Sequence, residues 1–230
     1  NGAVCTSKLI YPNLSFDPVK DLLPISNWFK VDNVIAVKAD SRFRRIGDVI
    51  EAAKKDPGKV TFGSGGHGST LHLMGEMFQY RAGVKMVHVP YRGGAAALTH
   101  LIGGHIHTAF DSTPSVGPQI KAGVVRALAV CGATRSPFFP DVPTMTEEGI
   151  KDFQEFSWGG VFAPRGTPAA IVDRLAEAII AAGRDPAVVA RMAQSYAEAI
   201  PNTPAEFARV VRDEAARWEP VVRAANIVAN

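Results

Sequence analysis

The chain has 230 residues, which at about 150 residues per domain corresponds to roughly one and a half domains. Hydrophobic residues make up 47% of it and charged residues 20%. This composition supports a buried core and excludes disordered, collagen-like and disulfide-framework chains. The 25 Lys and Arg are scattered and outweigh the 22 Asp and Glu by only +3, so we expect no nucleic-acid partner.

We also expect no membrane span, because even the apolar stretch at 124–133 is short and carries Arg126. The first residues contain no signal-peptide pattern, so they do not indicate a compartment. Cys5 and Cys131 are interpreted as small buried thiols, with a single disulfide as the alternative.

Through the middle of the chain, the spacing of apolar residues alternates between the period of a helix and that of a strand. Ile46, Val49, Ile50 and Ala53 predict one apolar helix face that ends at the Asp-Pro-Gly of 56–58. The elements predicted after it are a strand at 60–62, a helix carrying Leu71, Met74, Met77 and Phe78, strands at 85–89, 106–110 and 124–130, a helix at 95–102, and a helix that begins at Ser112-Thr113-Pro114 and ends at Gly123. This alternation predicts a parallel sheet with helices on both faces, and therefore a complete α/β domain at 59–130.

The rest of the chain does not show this alternation of helix and strand patterns. Prolines predict an extended connection at 132–153, followed by a strand at 156–163. Thr167-Pro168 begins one helix, and the capping box Thr203–Glu206 begins another that we expect Pro220 to kink or end. These helices must cover a sheet supplied elsewhere, for which the candidate strands are 24–29 and 33–38.

A glycine-rich loop lies between the predicted strand at 60–62 and the helix after it. Gly63, Gly65 and Gly68 match G-x-G-x-x-G, but no carboxylate follows about 20 residues later, which argues against a dinucleotide. The remaining features are backbone N–H groups, the positive end of a helix, and hydroxyls at 64, 69 and 70, which together suit a carboxylate or phosphate. The alternative is a tight turn that only caps the helix.

Two further loops follow strands in the same way, at 90–94 and 110–113. Because the carboxyl ends of parallel strands meet at one edge of the sheet, we expect the three loops to converge there. The second loop would bring the ring of Tyr91 and the guanidinium of Arg92, and the third the carboxylate of Asp111.

Metal and nucleophile sites are not predicted. His105 and His107 lie two residues apart at the start of a predicted strand, and no cysteine or acidic cluster completes a ligand set with them. There is no G-x-S-x-G elbow, so the hydroxyls near the expected edge are interpreted as binding groups rather than nucleophiles. We therefore expect no catalytic residues, no metal and no cofactor.

Taken together, the motifs resemble the receptors of tripartite tricarboxylate transporters, the Bug or TctC-type family. The resemblance covers nearly the whole chain and is carried by Gly63-Ser64 to Leu73, Val87 to Gly93, Leu101 to Gly104, Phe110-Asp111, Arg135-Ser136-Pro137, Pro140 to Thr144, Phe162-Ala163-Pro164, Gly166-Thr167-Pro168, Tyr11-Pro12 and Phe16 to Asp21. The resemblance also implies a substantial segment before the position equivalent to Asn1, and we expect this chain to lack it.

The resemblance implies a two-lobed α/β architecture like that of type II periplasmic binding proteins, with each lobe a Rossmann-like sheet. The lobes would comprise residues 1–36 with 157–230, which form an incomplete lobe, and residues 37–156. It also implies a periplasmic, monomeric, non-enzymatic receptor that closes on a small carboxylate and delivers it to membrane permease subunits. The implied ligand-binding residues are Ser64, Gly65, His67, Gly68, Ser69, Thr70, Tyr91, Arg92, Gly93, Phe110 and Asp111, with Asn1 and Gly2 from the opposite lobe.

Two rival functions remain open at this point. One is a small-molecule hydrolase built on the Gly/Ser loop, and the other is the effector domain of a transcription regulator, although no helix-turn-helix is visible. Asp111 is hypothesised to set selectivity by meeting an ammonium or hydroxyl group of the ligand.

Overall fold

The computed structural model describes residues 1–11, 13–225 and 227. They form two compact units: unit 1 is Asn1–Val31 with Ser157–Asn230, and unit 2 is Asp32–Phe156. Pro12 of the Tyr11-Pro12 match, and residues 226 and 228–230 of the predicted first lobe, lie outside the described residues.

The elements follow one another in mixed α/β order. In chain order they are α1 (Gly2–Cys5), α2 (Ser7–Ile10), α3 (Pro18–Asp21), β1 (Leu22–Lys38), α4 (Ile46–Lys55), β2 (Thr61–Ser64), α5 (Thr70–Ala82), β3 (Val87–Pro90), α6 (Gly94–Ile102), β4 (Thr108–Ser112), α7 (Thr113–Lys121), β5 (Val125–Val130), β6 (Phe156–Pro164), α8 (Ala169–Arg184), α9 (Pro186–Gln194), β7 (Glu198–Ala199) and α10 (Pro204–Ala224).

Unit 2 is built on a mixed sheet with strand order β3-β2-β4-β1-β5. β2 is parallel to β3 and to β4, as predicted, but β1 runs antiparallel to both of its neighbours, β4 and β5. The strands predicted at 59–130 therefore all run in the same direction, but the sheet is mixed because β1 lies between β4 and β5. The two N-terminal strands that we expected are one continuous strand, and its residues 33–36, assigned to the first lobe, pair with β4 of unit 2.

Helices cover both faces of this sheet. On one face the ring of Phe62 packs against α5, where a Cβ added to Gly75 would stand 2.1 Å from that ring. On the other face a fully apolar cluster joins α6 and α7 to the strands, and its buried members include Leu98, Leu101 and Val116. Alternate side chains of each strand therefore enter opposite halves of the core.

Unit 1 joins the first part of β1 to strands β6 and β7. The rings of Trp158 and Phe162 on β6 pack against Phe207 of α10, with centroids 5.3 and 4.9 Å apart. Glu214 of α10 is buried and accepts a hydrogen bond of 2.9 Å from the indole N–H of Trp218. The C-terminal helices thus cover a sheet supplied partly by the N-terminal segment, as expected.

Several local predictions were corrected. α10 begins at the predicted Thr203–Glu206 capping box and continues through Pro220 to Ala224, so Pro220 does not end the helix, which was one of the two expected outcomes. α9 was not predicted, although its Asp185-Pro186 start is an N-cap followed by proline. α7 begins at Thr113, within the predicted start, although the sequence pattern favoured Pro114 as its first residue.

The two cysteines are both buried and both free. Burial, followed by the charge of Glu214, raises the pKa of the Cys5 thiol to about 12. Burial likewise raises the pKa of Cys131. Both thiols therefore stay protonated at neutral pH and act as small apolar groups.

Among the described residues, no helix combines the length and the apolar character needed to cross a membrane.

We predict that Gly75→Ala destabilises the chain by about 1–3 kcal/mol, because the new methyl group would overlap the buried Phe62 ring. The matched control is Gly47→Ala in α4, where the nearest atoms belong to the flexible Arg45 side chain, at 3.1 Å. That change should be neutral or stabilising by up to about 1 kcal/mol. Urea denaturation measures both, and equal effects at the two glycines would contradict the packing argument.

Candidate functional site

The loops after β2 and β3 meet at the carboxyl edge of the unit 2 sheet. The backbone N–H of Tyr91 donates to the carbonyl of Ser64, and that of Gly93 donates to the carbonyl of Gly65, each at 3.1 Å. A Cβ on Gly65 would lie 3.5–3.6 Å from the backbone of residues 93 and 94. The predicted convergence of these two loops is therefore confirmed.

The third loop reaches the same edge through Asp111. A Cβ added to Gly94, the first residue of α6, would lie 2.8 Å from Oδ1 of Asp111. The carboxylate accepts hydrogen bonds from the Ser112 N–H at 2.8 Å and the Ser115 hydroxyl at 2.9 Å. Its position at the starts of α6 and α7 is one that helix dipoles favour for an anion. Burial nevertheless dominates and raises its pKa, with the two hydrogen bonds opposing that shift.

Hydrogen bonds within the glycine-rich loop hold it against the start of α5. Ser69 is the N-cap, and its hydroxyl accepts from the His72 N–H at 3.2 Å and donates to the carbonyl of Gly66 at 2.8 Å. The Gly68 N–H donates to Nδ1 of His72 at 3.0 Å. Gly66 and Gly68 have φ of 136° and 73°, which side-chain-bearing residues rarely adopt.

This loop retains donors that its own hydrogen bonds do not use. Within the described part of the chain, the N–H groups of Gly65 and His67 donate no hydrogen bond. They lie just before the N-terminus of α5, which carries partial positive charge. The loop is thus both a cap, as the alternative interpretation held, and an arrangement that can accept an anion.

Ser64 and His88 form a serine–histidine pair at this edge, and such a pair invites a comparison with hydrolases. Oγ of Ser64 lies 2.7 Å from Nε2 of His88, but Ser64 is 0% exposed. Burial, followed by the charges of His72 and His67, lowers the pKa of His88 to about 3. A buried hydroxyl beside so weak a base is a poor nucleophile, so this pair favours a structural role.

The other candidate residues differ in exposure. Arg92 is exposed and Tyr91 half-buried, and burial raises the pKa of the Tyr91 hydroxyl. The ring of Phe110 is fully buried and packs edge-on against Phe62, with centroids 5.8 Å apart, so it belongs to the core of unit 2. Thr70 is the first residue of α5. Asn1 and Gly2 lie in unit 1 and the remaining candidates in unit 2.

A group of three histidines, which the sequence did not reveal, surrounds the same loop. His67, His72 and His88 each offer a ring nitrogen, and these nitrogens lie within 4.8 Å of one another. The rings of His72 and His88 are stacked, with centroids 3.7 Å apart. No short motif joins these residues, because His88 reaches the group only through the pairing of β3 with β2.

The pair considered from sequence, His105 and His107, has another arrangement. Both precede β4, which begins at Thr108, so the assumption that they lie on a strand was wrong. Nδ1 of His107 instead accepts the backbone N–H of Thr61 at 3.2 Å.

The chain matches, over residues 2–227, the family described as tripartite tricarboxylate transporter family receptor. It is 36% identical to the UPF0065 protein in the tcbD-tcbE intergenic region of Pseudomonas sp. strain P51, over 97% of this chain and 67% of that relative. It is 34% identical to protein BugT of Bordetella pertussis, over 93% of this chain and 66% of BugT. The chain thus spans about two thirds of the length of these relatives.

Two solved structures extend the similarity to the fold. R. palustris Rpa4515 with adipate superposes with a TM-score of 0.89 and 33% identity, over 98% of this chain and 75% of that one. MatC from Rhodopseudomonas palustris with bound malate gives a TM-score of 0.85 and 27% identity, over 96% of this chain and 76% of MatC. The chain has the α/β fold of periplasmic binding proteins, and it belongs to the tripartite tricarboxylate transporter receptor family.

Proposed function

We propose that this chain binds a small carboxylate at the loop 64–70 and serves as the periplasmic receptor of a tripartite tricarboxylate-type permease, without catalysis. The observation that carries the proposal is the pair of unused N–H groups, at Gly65 and His67, beside the N-terminus of α5. Family membership supports it, as do the relatives solved with adipate and malate.

Hydrogen bonds from those two N–H groups alone do not supply the free energy of micromolar binding. A hydrogen bond to a charged group contributes about 1.5–3 kcal/mol, whereas micromolar affinity corresponds to about 8.2 kcal/mol. Arg92 is exposed on the loop that Gly93 ties to Gly65, and a guanidinium can hold a carboxylate through two parallel hydrogen bonds. We therefore assign Arg92 as the charged partner of the ligand and the loop backbone as its second set of donors.

Asp111 has a different part in this proposal. Its carboxylate is 2% exposed and both of its oxygens accept hydrogen bonds from residues at the start of α7. This placement favours a role in holding α7 and the third loop, whereas the sequence suggested contact with an ammonium or hydroxyl group of the ligand.

We predict that adipate, malate or citrate raises the melting temperature of the chain, and that Arg92→Ala weakens the binding at least tenfold, or about 1.4 kcal/mol. The matched control is Arg81→Ala, which removes an exposed arginine whose partner, at 3.7 Å, is Asp152. The Arg81→Ala variant should bind the carboxylate with the same affinity as the unchanged chain. Thermal-shift screening followed by titration calorimetry measures both.

The proposal fails if no di- or tricarboxylate, acidic amino acid or aromatic acid stabilises the chain. Ester hydrolysis that Ser64→Ala abolishes would show the rival hydrolase instead. Neither outcome depends on the identity of the permease.

For Asp111 we predict a specific pH dependence. Because its pKa in the folded chain is raised above the ordinary value of about 3.9, its contribution to stability falls as the pH rises from about 3.9 through the raised pKa. Asp111→Asn cannot titrate, so the unfolding free energy of the unchanged chain minus that of the variant should decrease across this window.

Urea denaturation between pH 3 and 7 tests this, and a difference that stays constant or grows with pH would contradict it. The same variant separates the two roles of Asp111. If Asp111→Asn changes the affinity order of amino-bearing and plain dicarboxylates, the residue contacts the ligand.

A further inference from the structure

We propose that His67, His72 and His88 form a binding site for one divalent transition-metal ion of the zinc class. One ring nitrogen from each residue lies within 4.8 Å of the other two. The three residues come from the glycine-rich loop, the first turn of α5 and strand β3. The inference concerns a cation and does not rest on the carboxylate function.

The chemistry of the three side chains selects the class of ion. Imidazole nitrogens suit Zn²⁺, Co²⁺, Ni²⁺ and Cu²⁺, whereas Mg²⁺ and Ca²⁺ require oxygen ligands. Three protein ligands around zinc leave one position open for water or another small ligand. Zn–N bonds of about 2.0–2.1 Å place tetrahedral ligand nitrogens about 3.4 Å apart. The nitrogens, which lie within 4.8 Å of one another, must therefore approach by at most about 1.4 Å when the ion binds.

The structure provides the freedom for this approach at His67. This residue is exposed and stands between Gly66 and Gly68, whose φ values of 136° and 73° mark a glycine-specific backbone. Its ring centroid lies 4.8 Å from that of His72 and 6.3 Å from that of His88. A rotation of the His67 side chain can bring its nitrogen toward the other two without disturbing the core.

The second nitrogens of His88 and His72 already have the partners that metal-ligating histidines use. Nε2 of His88 lies 2.7 Å from the Ser64 hydroxyl, and Nε2 of His72 lies 3.5 Å from the Glu76 carboxylate. Such outer partners fix the tautomer and orient the ring, and losing one costs metal sites about 10–100-fold in affinity. We therefore assign Nδ1 of both rings as the nitrogens that face the ion.

Binding has an identifiable structural cost. Nδ1 of His72 accepts the Gly68 N–H at 3.0 Å, so the ion must displace that donor toward solvent. The stacked rings of His72 and His88 must also turn apart, because ring lone pairs lie in the ring plane and here run side by side. Both changes are local to the loop. Displacement of the Gly68 N–H would also change its amide NMR resonance, which can be measured.

The test is a calorimetric titration of the untagged chain with Zn²⁺, repeated with Co²⁺ so that the visible absorption of low-coordinate cobalt reports the geometry. We expect one ion per chain. His67→Ala should weaken Zn²⁺ binding at least tenfold. Glu76→Gln should also weaken it, because the variant loses the carboxylate that orients the His72 ring. The matched control is His105→Ala, which removes an exposed histidine outside the cluster and should leave the affinity unchanged.

A second measurement keeps the test independent of folding defects in variants of the buried His72. In the unchanged chain, the Gly68 amide resonance should shift when Zn²⁺ is added, because its hydrogen-bond acceptor is lost. The proposal is wrong if the unchanged chain binds no Zn²⁺, if His67→Ala and His105→Ala bind it equally, or if the Gly68 amide does not respond. None of these outcomes bears on carboxylate binding.

Discussion

The pairing of β2 with β3 on one side and β4 on the other is the constraint on which the candidate site depends. Because these pairings are parallel, Phe62 stands beside both His88 and Thr108, and the three strands end at one edge. Their loops therefore meet, although 23 residues of helix and connection separate Ser64 from His88 in the chain. A shift in register would move the loops apart and turn Phe62 away from α5.

The glycine-rich loop shows how a short segment can be ordered and still have unused donors. The Ser69 cap, the Gly66 carbonyl and the His72 ring satisfy the groups nearest the start of α5. The N–H groups of Gly65 and His67 take no part in that network. Because a buried, unpaired N–H group would cost about 1–3 kcal/mol, these donors must face water or a ligand. The loop is thus suited to exchange water for an anionic ligand at these two N–H groups.

Strand β1 links the two units through its backbone. Phe29 and Lys30 pair with β7 in unit 1, while residues 33–38 pair with β4 and β5 in unit 2. One extended segment therefore contributes to two cores, and Ile25 and Ile35 are both fully buried. This explains why a strand in the N-terminal segment completes the sheet of unit 2, and why that sheet is mixed rather than parallel.

Local patterns in the sequence determined most of the helices and the position of the glycine-rich loop. Apolar spacing and caps act over a few residues, so the helix beginning at Ile46 and the Thr203 capping box were predicted and are confirmed. The sequence also supported the family, because its motifs occur in the family's order and the match covers residues 2–227.

Only the tertiary structure decided the insertion of β1 between β4 and β5, the burial of Phe110 and the meeting of His67, His72 and His88. Each of these features depends on which strands pair with one another and which helix covers the sheet face. Those neighbours are distant in the chain. Periodicity reports whether a residue faces inward, but it carries no information about the partner that it meets there.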